Sequence, residues 1–148
     1  MISIRQLRDD LLARPGQTQS EICRERCSDC ESSCIACAEA CLGEADVTGP
    51  SSCVRWSLDC AAVCAATGVL LSRSFPANGR MLRAMLEACL RACALCATAC
   101  RSQPERDHCR RCAEACVACE DACRALLRLT PHELAGFWIE RRSARPQH

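Results

Sequence analysis

The 148 residues include 18 Cys but only 2 Phe, 2 Trp and no Tyr, which excludes an ordinary leucine-and-aromatic interior and leaves sulfur and alanine to build the core. The 19 basic residues, all Arg, balance 18 acidic ones to a formal net charge of +1, which excludes the basic stripe of a general nucleic-acid binder. No stretch approaches the roughly 18 apolar residues of a membrane span.

The first residues, MISIRQLRDDLLARPGQ, contain no apolar run, small-residue cleavage site or twin arginine, so they do not read as an export signal. The expectation is a cytoplasmic protein with no membrane or nucleic-acid partner, in a compartment where thiols stay reduced. Ile4, Leu7 and Leu11 then predict a short amphipathic helix over about 3–13. Pro15–Gly16, Gly49–Pro50, Pro76 with Asn78–Gly79, Pro104 and Pro131 cut the remainder into segments of about 25 residues. Four main helices are predicted, over about 18–42, 51–73, 78–102 and 105–128, rich in Ala, Leu, Arg and Glu. Thr18 with Glu21, Ser102 with Glu105 and Thr130 with Glu133 fit the capping box of a helix start. A last helix over about 131–142 carries Leu134, Phe137 and Trp138. Alternating strand patterns are absent. The expected fold is all-α: a single domain over 1–148, with an antiparallel up-down four-helix bundle at about 18–128. An N-terminal amphipathic segment (1–16) and a C-terminal extension (130–148) flank it.

The cysteines define one face of that bundle. The first main helix has Cys23, Cys27, Cys30, Cys34, Cys37 and Cys41; the second has Cys53, Cys60 and Cys64. The third has Cys89, Cys93, Cys96 and Cys100; the fourth has Cys109, Cys112, Cys116, Cys119 and Cys123. Every spacing within a helix is 3, 4 or 7, the stripe that points at a bundle axis. A free Cys is often merely a small buried hydrophobe. A whole core of them, however, forfeits apolar burial worth roughly 25 cal/mol per Å², and an interior filled with metal compensates for that loss.

Disulfides fit poorly within the helices. Residues at i, i+4 have Cβ atoms about 5–6 Å apart, whereas a disulfide needs about 3.5–4.5 Å. A metal held linearly between two sulfurs at about 2.3 Å separates them by about 4.5 Å, which that spacing accommodates. Charge then selects the metal. Several buried Zn(II) tetrathiolates, each at a net charge of about –2, carry a heavy desolvation penalty. Cu(I) bridged by thiolates, at about one ion per Cys, keeps the array near neutral. A run of the iron–sulfur type is absent.

The two ends of such a tube differ. Leu70, Leu71, Leu82, Leu86 and Leu126, with Met81 and Met85 alongside, close one end. Cys41, Cys53, Cys100 and Cys109, with His108 beside them, open the other, and 18 residues (about 27 Å of helix) separate Cys23 from Cys41. His108 reads either as an entry ligand for copper or as a solvated residue at a helix start. Met81 and Met85 read as thioether ligands or, as their helical spacing favours, as core packing. Trp56, Phe75, Phe137 and Trp138 read as packing or interface groups.

The run Cys23-x3-Cys27-x2-Cys30-x3-Cys34-x2-Cys37-x3-Cys41, then Cys53-x6-Cys60-x3-Cys64, then His108–Cys109-x2-Cys112-x3-Cys116-x2-Cys119-x3-Cys123 resembles the bacterial four-helix-bundle copper storage proteins, in their cytosolic branch. The resemblance covers about Glu21 to Leu127. It implies Cu(I) held inside the bundle by the CxxxC pairs, entry at the end of Cys53, Cys109 and His108, and a homotetramer. Leu86 departs from the pattern, standing where some members have a further Cys. A thiol/disulfide redox protein and a zinc or iron–sulfur protein are the alternatives. The residues show no nucleophile–base–orienter set for an enzyme.

Overall fold

The computed structural model describes residues 3–4, 15–44, 51–73 and 79–129. Four helices run through them: α1 (Pro15–Leu42), α2 (Ser51–Ser72), α3 (Gly79–Arg101) and α4 (Asp107–Leu127). α1 packs on α2 and α4, and α3 packs on the same two, which is the square of a four-helix bundle. The expected helices over 3–13 and 131–142, the Thr130/Glu133 cap, Phe75, Phe137 and Trp138 lie outside the described residues, apart from Ser3 and Ile4.

Two helix starts differ from expectation. α1 begins at Pro15, so Thr18 lies inside the helix; Pro fits the first position because its missing N–H has no partner there. α4 begins at Asp107 after Arg106, whose backbone is extended (φ –97°, ψ 117°) and whose side chain makes no cap hydrogen bond. Ser102 Oγ instead donates to the Ala99 carbonyl at the end of α3. The start of α4 is stabilised by the acidic Asp107, which favours the positive pole of the helix and pairs with Arg110 and Arg111.

α2 also corrects the expectation about apolar stretches. Its segment Cys53–Ser72, with a mean hydropathy of 1.4, is long and apolar enough to cross a membrane by length and composition. In the bundle its inward stripe, Cys53, Ser57, Cys60, Cys64, Thr67 and Leu71, is buried between α1 and α3.

The packing is antiparallel around the square, and the sulfur contacts give its register. Between α1 and α4 the facing pairs are Cys23/Cys123, Cys27/Cys119, Cys30/Cys116, Cys34/Cys112 and Cys37/Cys109, separated by 3.7, 3.7, 3.7, 3.6 and 3.9 Å. In every pair the two residue numbers add to the same total, the signature of two antiparallel helices in one uninterrupted register. Cys64/Cys89, Cys60/Cys93 and Cys53/Cys100 do the same between α2 and α3, at 3.9, 3.8 and 3.6 Å.

One end of the interior is closed by hydrocarbon. Leu71, Leu82, Leu86 and Leu126 are buried there, with Leu70, Leu127, Leu129 and Ile22 packed against the core. Met81 does not join them: it is 55% exposed, because it lies beyond the inward stripe that Leu82 and Leu86 occupy, and Met85 is half-buried. The leucine floor supplies most of the large apolar side chains in a core otherwise made of thiols and Ala. Leu86→Ala should therefore destabilise the metal-free protein by about 2–5 kcal/mol, measured by urea unfolding followed by circular dichroism, while leaving copper capacity unchanged.

Candidate metal centre

All 18 Cys are buried free thiols, so the structure brings every Cys of the sequence pattern into one interior. They are stacked in levels along the bundle axis, because stripes spaced alternately by three and four residues on antiparallel helices come into step once per turn. At the floor, Cys23 and Cys123 face each other at 3.7 Å. The next level holds Cys27, Cys64, Cys89 and Cys119, with contacts of 3.7 to 3.9 Å. Above it lie Cys30, Cys60, Cys93 and Cys116, at 3.7 to 3.9 Å. The following level holds Cys34, Cys96 and Cys112, and then come Cys37, Cys53, Cys100 and Cys109 at 3.6 to 3.9 Å. Cys41 stands alone at the top, its Sγ 3.3 Å from His108 Nε2.

These contacts lie mainly between helices. Of the CxxxC pairs, Cys30/Cys34 lies at 3.9 Å. Cys30/Cys34, Cys37/Cys41, Cys112/Cys116 and Cys119/Cys123 also belong to larger groups whose ligand atoms all lie within 4.8 Å of one another. Groups of this kind include Cys27/Cys89/Cys119/Cys123, Cys30/Cys34/Cys60/Cys116, Cys34/Cys96/Cys112/Cys116 and Cys37/Cys41/His108/Cys109, while Cys30/Cys64/Cys93/Cys119 is gathered from all four helices with no CxxxC pair. Each member of the Cys37/Cys41/His108/Cys109 group sits at the mouth, so His108 is placed among sulfurs. Thiolates at these separations suit a soft cation that two or three sulfurs share.

Charge inside the tube is one-sided. Among the described residues, the buried polar side chains are Ser20, Ser57 and Thr67, and no buried one carries charge. Thr67 Oγ1 donates to the Val63 carbonyl and is satisfied within its own helix. An ionised thiolate therefore meets no fixed cation in the interior, and burial opposes its ionisation. The thiols at the mouth show it: burial first, then the charge of Cys37, pushes both Cys41 and Cys109 above the ordinary thiol range.

Sequence reasoning missed three residues of the site. Ser57 takes the place of a Cys on the α2 stripe, and its position midway in the seven-residue gap between Cys53 and Cys60 was the available signal. Glu44 and Arg106 come together at the mouth from the ends of two loops, which no local pattern announces. Arg106 lies 2.6 Å from one Glu44 carboxylate oxygen, and His108 Nε2 lies 3.3 Å from the other. The same imidazole nitrogen thus faces both a carboxylate and the outermost thiol.

Comparison with known proteins agrees with this geometry. Solved structures similar to the chain include a cytosolic copper storage protein from Streptomyces lividans carrying five coppers, 42% identical, with a TM-score of 0.75 over 78% of this chain and 97% of that one. The same Streptomyces lividans protein loaded with 10 copper equivalents matches at 40% identity and a TM-score of 0.71, over 80% of this chain and 96% of that one. The Cu(I)-bound copper storage protein BsCsp3 matches at 32% and 0.67, over 74% and 98%. A cysteine-rich protein of Bacillus subtilis (strain 168), YhjQ, is 33% identical over 90 residues, which is 61% of this chain and 79% of that protein. The sequence profile of the copper storage proteins matches residues 16–128, the whole of the sulfur-lined bundle, and the chain belongs to that family.

Proposed function

We propose that this chain stores and buffers Cu(I) in the cytosol, about one ion per thiolate. The ligands are Cys23, Cys27, Cys30, Cys34, Cys37, Cys41, Cys53, Cys60, Cys64, Cys89, Cys93, Cys96, Cys100, Cys109, Cys112, Cys116, Cys119 and Cys123, with His108 as the entry ligand. The observation that carries this reading is the stack itself: 18 free thiols converge on one axis, with no buried charged side chain among the described residues to balance them. Cu(I) balances thiolates one for one and tolerates two or three sulfurs in its shell. Zn(II) at each four-sulfur level would leave about –2 buried per site, repeated along the tube. A redox role needs an exposed attacking thiolate beside a resolving Cys, whereas these thiols are all buried. The reading is of a binding protein and not a catalyst.

The mouth gives the tube a direction. Cys41 and His108 meet the entering ion, and the level of Cys37, Cys53, Cys100 and Cys109 lies directly beneath. Glu44 lies beside His108 and neutralises Arg106, which would otherwise repel a cation at the opening. A second copy of the chain is the proposed assembly partner, as a homotetramer. Ile35, Trp56, Leu58 and Leu95, all partly exposed on the outside of the bundle, support it by offering apolar surface to a neighbour. Copper donors and acceptors dock, on this reading, at the mouth.

Anaerobic titration with Cu(I) against a chromophoric chelator, with thiol counting, tests storage directly. Saturation is expected on the order of 18 equivalents, and saturation near one or two would overturn the reading. Replacing Cys30, Cys60, Cys93 and Cys116 together by Ala should lower capacity by about four equivalents; an unchanged capacity would place the ligands elsewhere. Copper must displace thiol protons, and those of Cys41 and Cys109 are held more tightly than usual. Apparent affinity should thus fall as pH drops, by about tenfold per pH unit for each proton released, read from the same chelator competition at several pH values. Glu44→Gln should slow copper loading by about two- to fivefold in stopped-flow mixing, with capacity unchanged and the effect shrinking at high salt.

A further inference from the structure

Three levels of the stack receive one sulfur from each helix: those of Cys27, Cys30 and Cys37. The level of Cys34 does not. There α2 supplies the Ser57 hydroxyl, fully buried, with Oγ 3.8 Å from Cys96 Sγ and 3.9 Å from Cys112 Sγ. The three remaining sulfurs form a closed triangle, with Cys34–Cys112 at 3.6 Å, Cys96–Cys112 at 3.9 Å and Cys34–Cys96 at 4.0 Å.

The size of that triangle is informative. A Cu(I) ion centred among three thiolates at about 2.3 Å sets the sulfurs about 4.0 Å apart, while a linear pair sets them about 4.6 Å apart. The triangle already has the dimensions of a three-coordinate site. Cys116, from the level below, approaches Cys34 at 3.8 Å and belongs to the same 4.8 Å group, so it links the triangle to the deeper levels. A hydroxyl is a hard oxygen donor and a poor ligand for Cu(I), but it is a good hydrogen-bond donor to a thiolate. Its burial without a carbonyl partner is satisfied by those two sulfurs, and a metal-bound thiolate accepts the bond more strongly than a thiol does.

We propose that Ser57 makes this level a three-sulfur Cu(I) site formed by Cys34, Cys96 and Cys112. The hydroxyl donates its one proton to a copper-bound sulfur, that of Cys96 or Cys112, and does not itself bind the ion. Ser57 thereby sets the capacity of the tube at this point and separates the four-sulfur level at the mouth from the two nearer the floor. The proposal rests on the thiolate ligand set given above.

Two variants test it. Ser57→Cys supplies the missing fourth sulfur and should raise Cu(I) capacity by about one equivalent in anaerobic chelator titration. Ser57→Ala removes the hydroxyl and should leave capacity unchanged, with folding of both variants checked by circular dichroism. Loss of an equivalent in Ser57→Ala would make the hydroxyl a ligand and overturn the proposal, as would a folded Ser57→Cys protein with unaltered capacity. Anomalous diffraction at the copper edge from loaded crystals of the unsubstituted protein should place one copper about 2.3 Å from each of the three sulfurs; an ion bound by Ser57 Oγ would overturn the assignment. Saturation of the unsubstituted protein near one or two equivalents would instead remove the storage reading itself, so the two failures are distinguishable.

Discussion

The structure depends on the balance of charge in a closed interior. A thiol becomes a strong ligand only when it loses its proton, and a buried thiolate is costly unless a cation sits beside it. Among the described residues no cationic side chain enters the sulfur core, and the Arg side chains among them line the outer faces and the rim. The compensating charge must therefore arrive with the cargo. Monovalent copper shared between sulfurs satisfies that condition at every level, and the same stoichiometry that fills the tube also neutralises it. Capacity and electrostatics are one constraint.

That constraint also bears on stability. A core of Cys and Ala buries less hydrocarbon per helix than a leucine core of equal length, so the metal-free bundle relies on its floor, where Leu71, Leu82, Leu86 and Leu126 pack together. Binding many ions to the folded state alone adds stability by mass action, because an unfolded chain does not hold the thiols in levels. Storage and folding are thereby linked, the leucine floor holding the register until copper fills the space above it.

Much of this was legible in the residues. The 3-and-4 stripes of Cys23 to Cys41 and Cys109 to Cys123 specify both helix and inward face, because helical geometry makes those spacings one line on a cylinder. The unequal ends were legible too, since Leu82 and Leu86 continue the α3 stripe where Cys stops. What stayed hidden depends on how separate helices meet. Single-helix spacing favoured CxxxC pairs such as Cys60/Cys64, whereas Cys60 makes its close contacts with Cys30 and Cys93 on neighbouring helices. The Glu44–Arg106–His108 cluster joins the end of one helix to the start of another, and neither flank carries a local signature. Met81 misled because it lies one residue, about 100° of helix, off the stripe that Leu82 and Leu86 occupy, and so faces outward although Leu82 beside it is buried.

The mouth and the floor together explain how a tube with many equivalent sulfurs has an order. At the floor, Cys23 faces Cys123, which also belongs to the four-sulfur group of Cys27, Cys89 and Cys119, and the buried leucines close that end of the core. At the mouth, Cys41 has the His108 imidazole within reach, itself beside the Glu44 carboxylate, and lies beside the outer four-sulfur level through Cys37 and Cys109. The sulfur contacts that cross levels, Cys30–Cys34, Cys34–Cys116 and Cys64–Cys93, are as short as those within levels. On the proposed ligand set, an ion at the Cys34 level passes to the Cys30 and Cys27 levels by exchanging one thiolate for the next, so that it need not stand bare in a low-dielectric core. Overlapping ligand groups of this kind make holding and passing on an ion two uses of the same contacts, and on the proposed ligand set storage and inward movement share one structure.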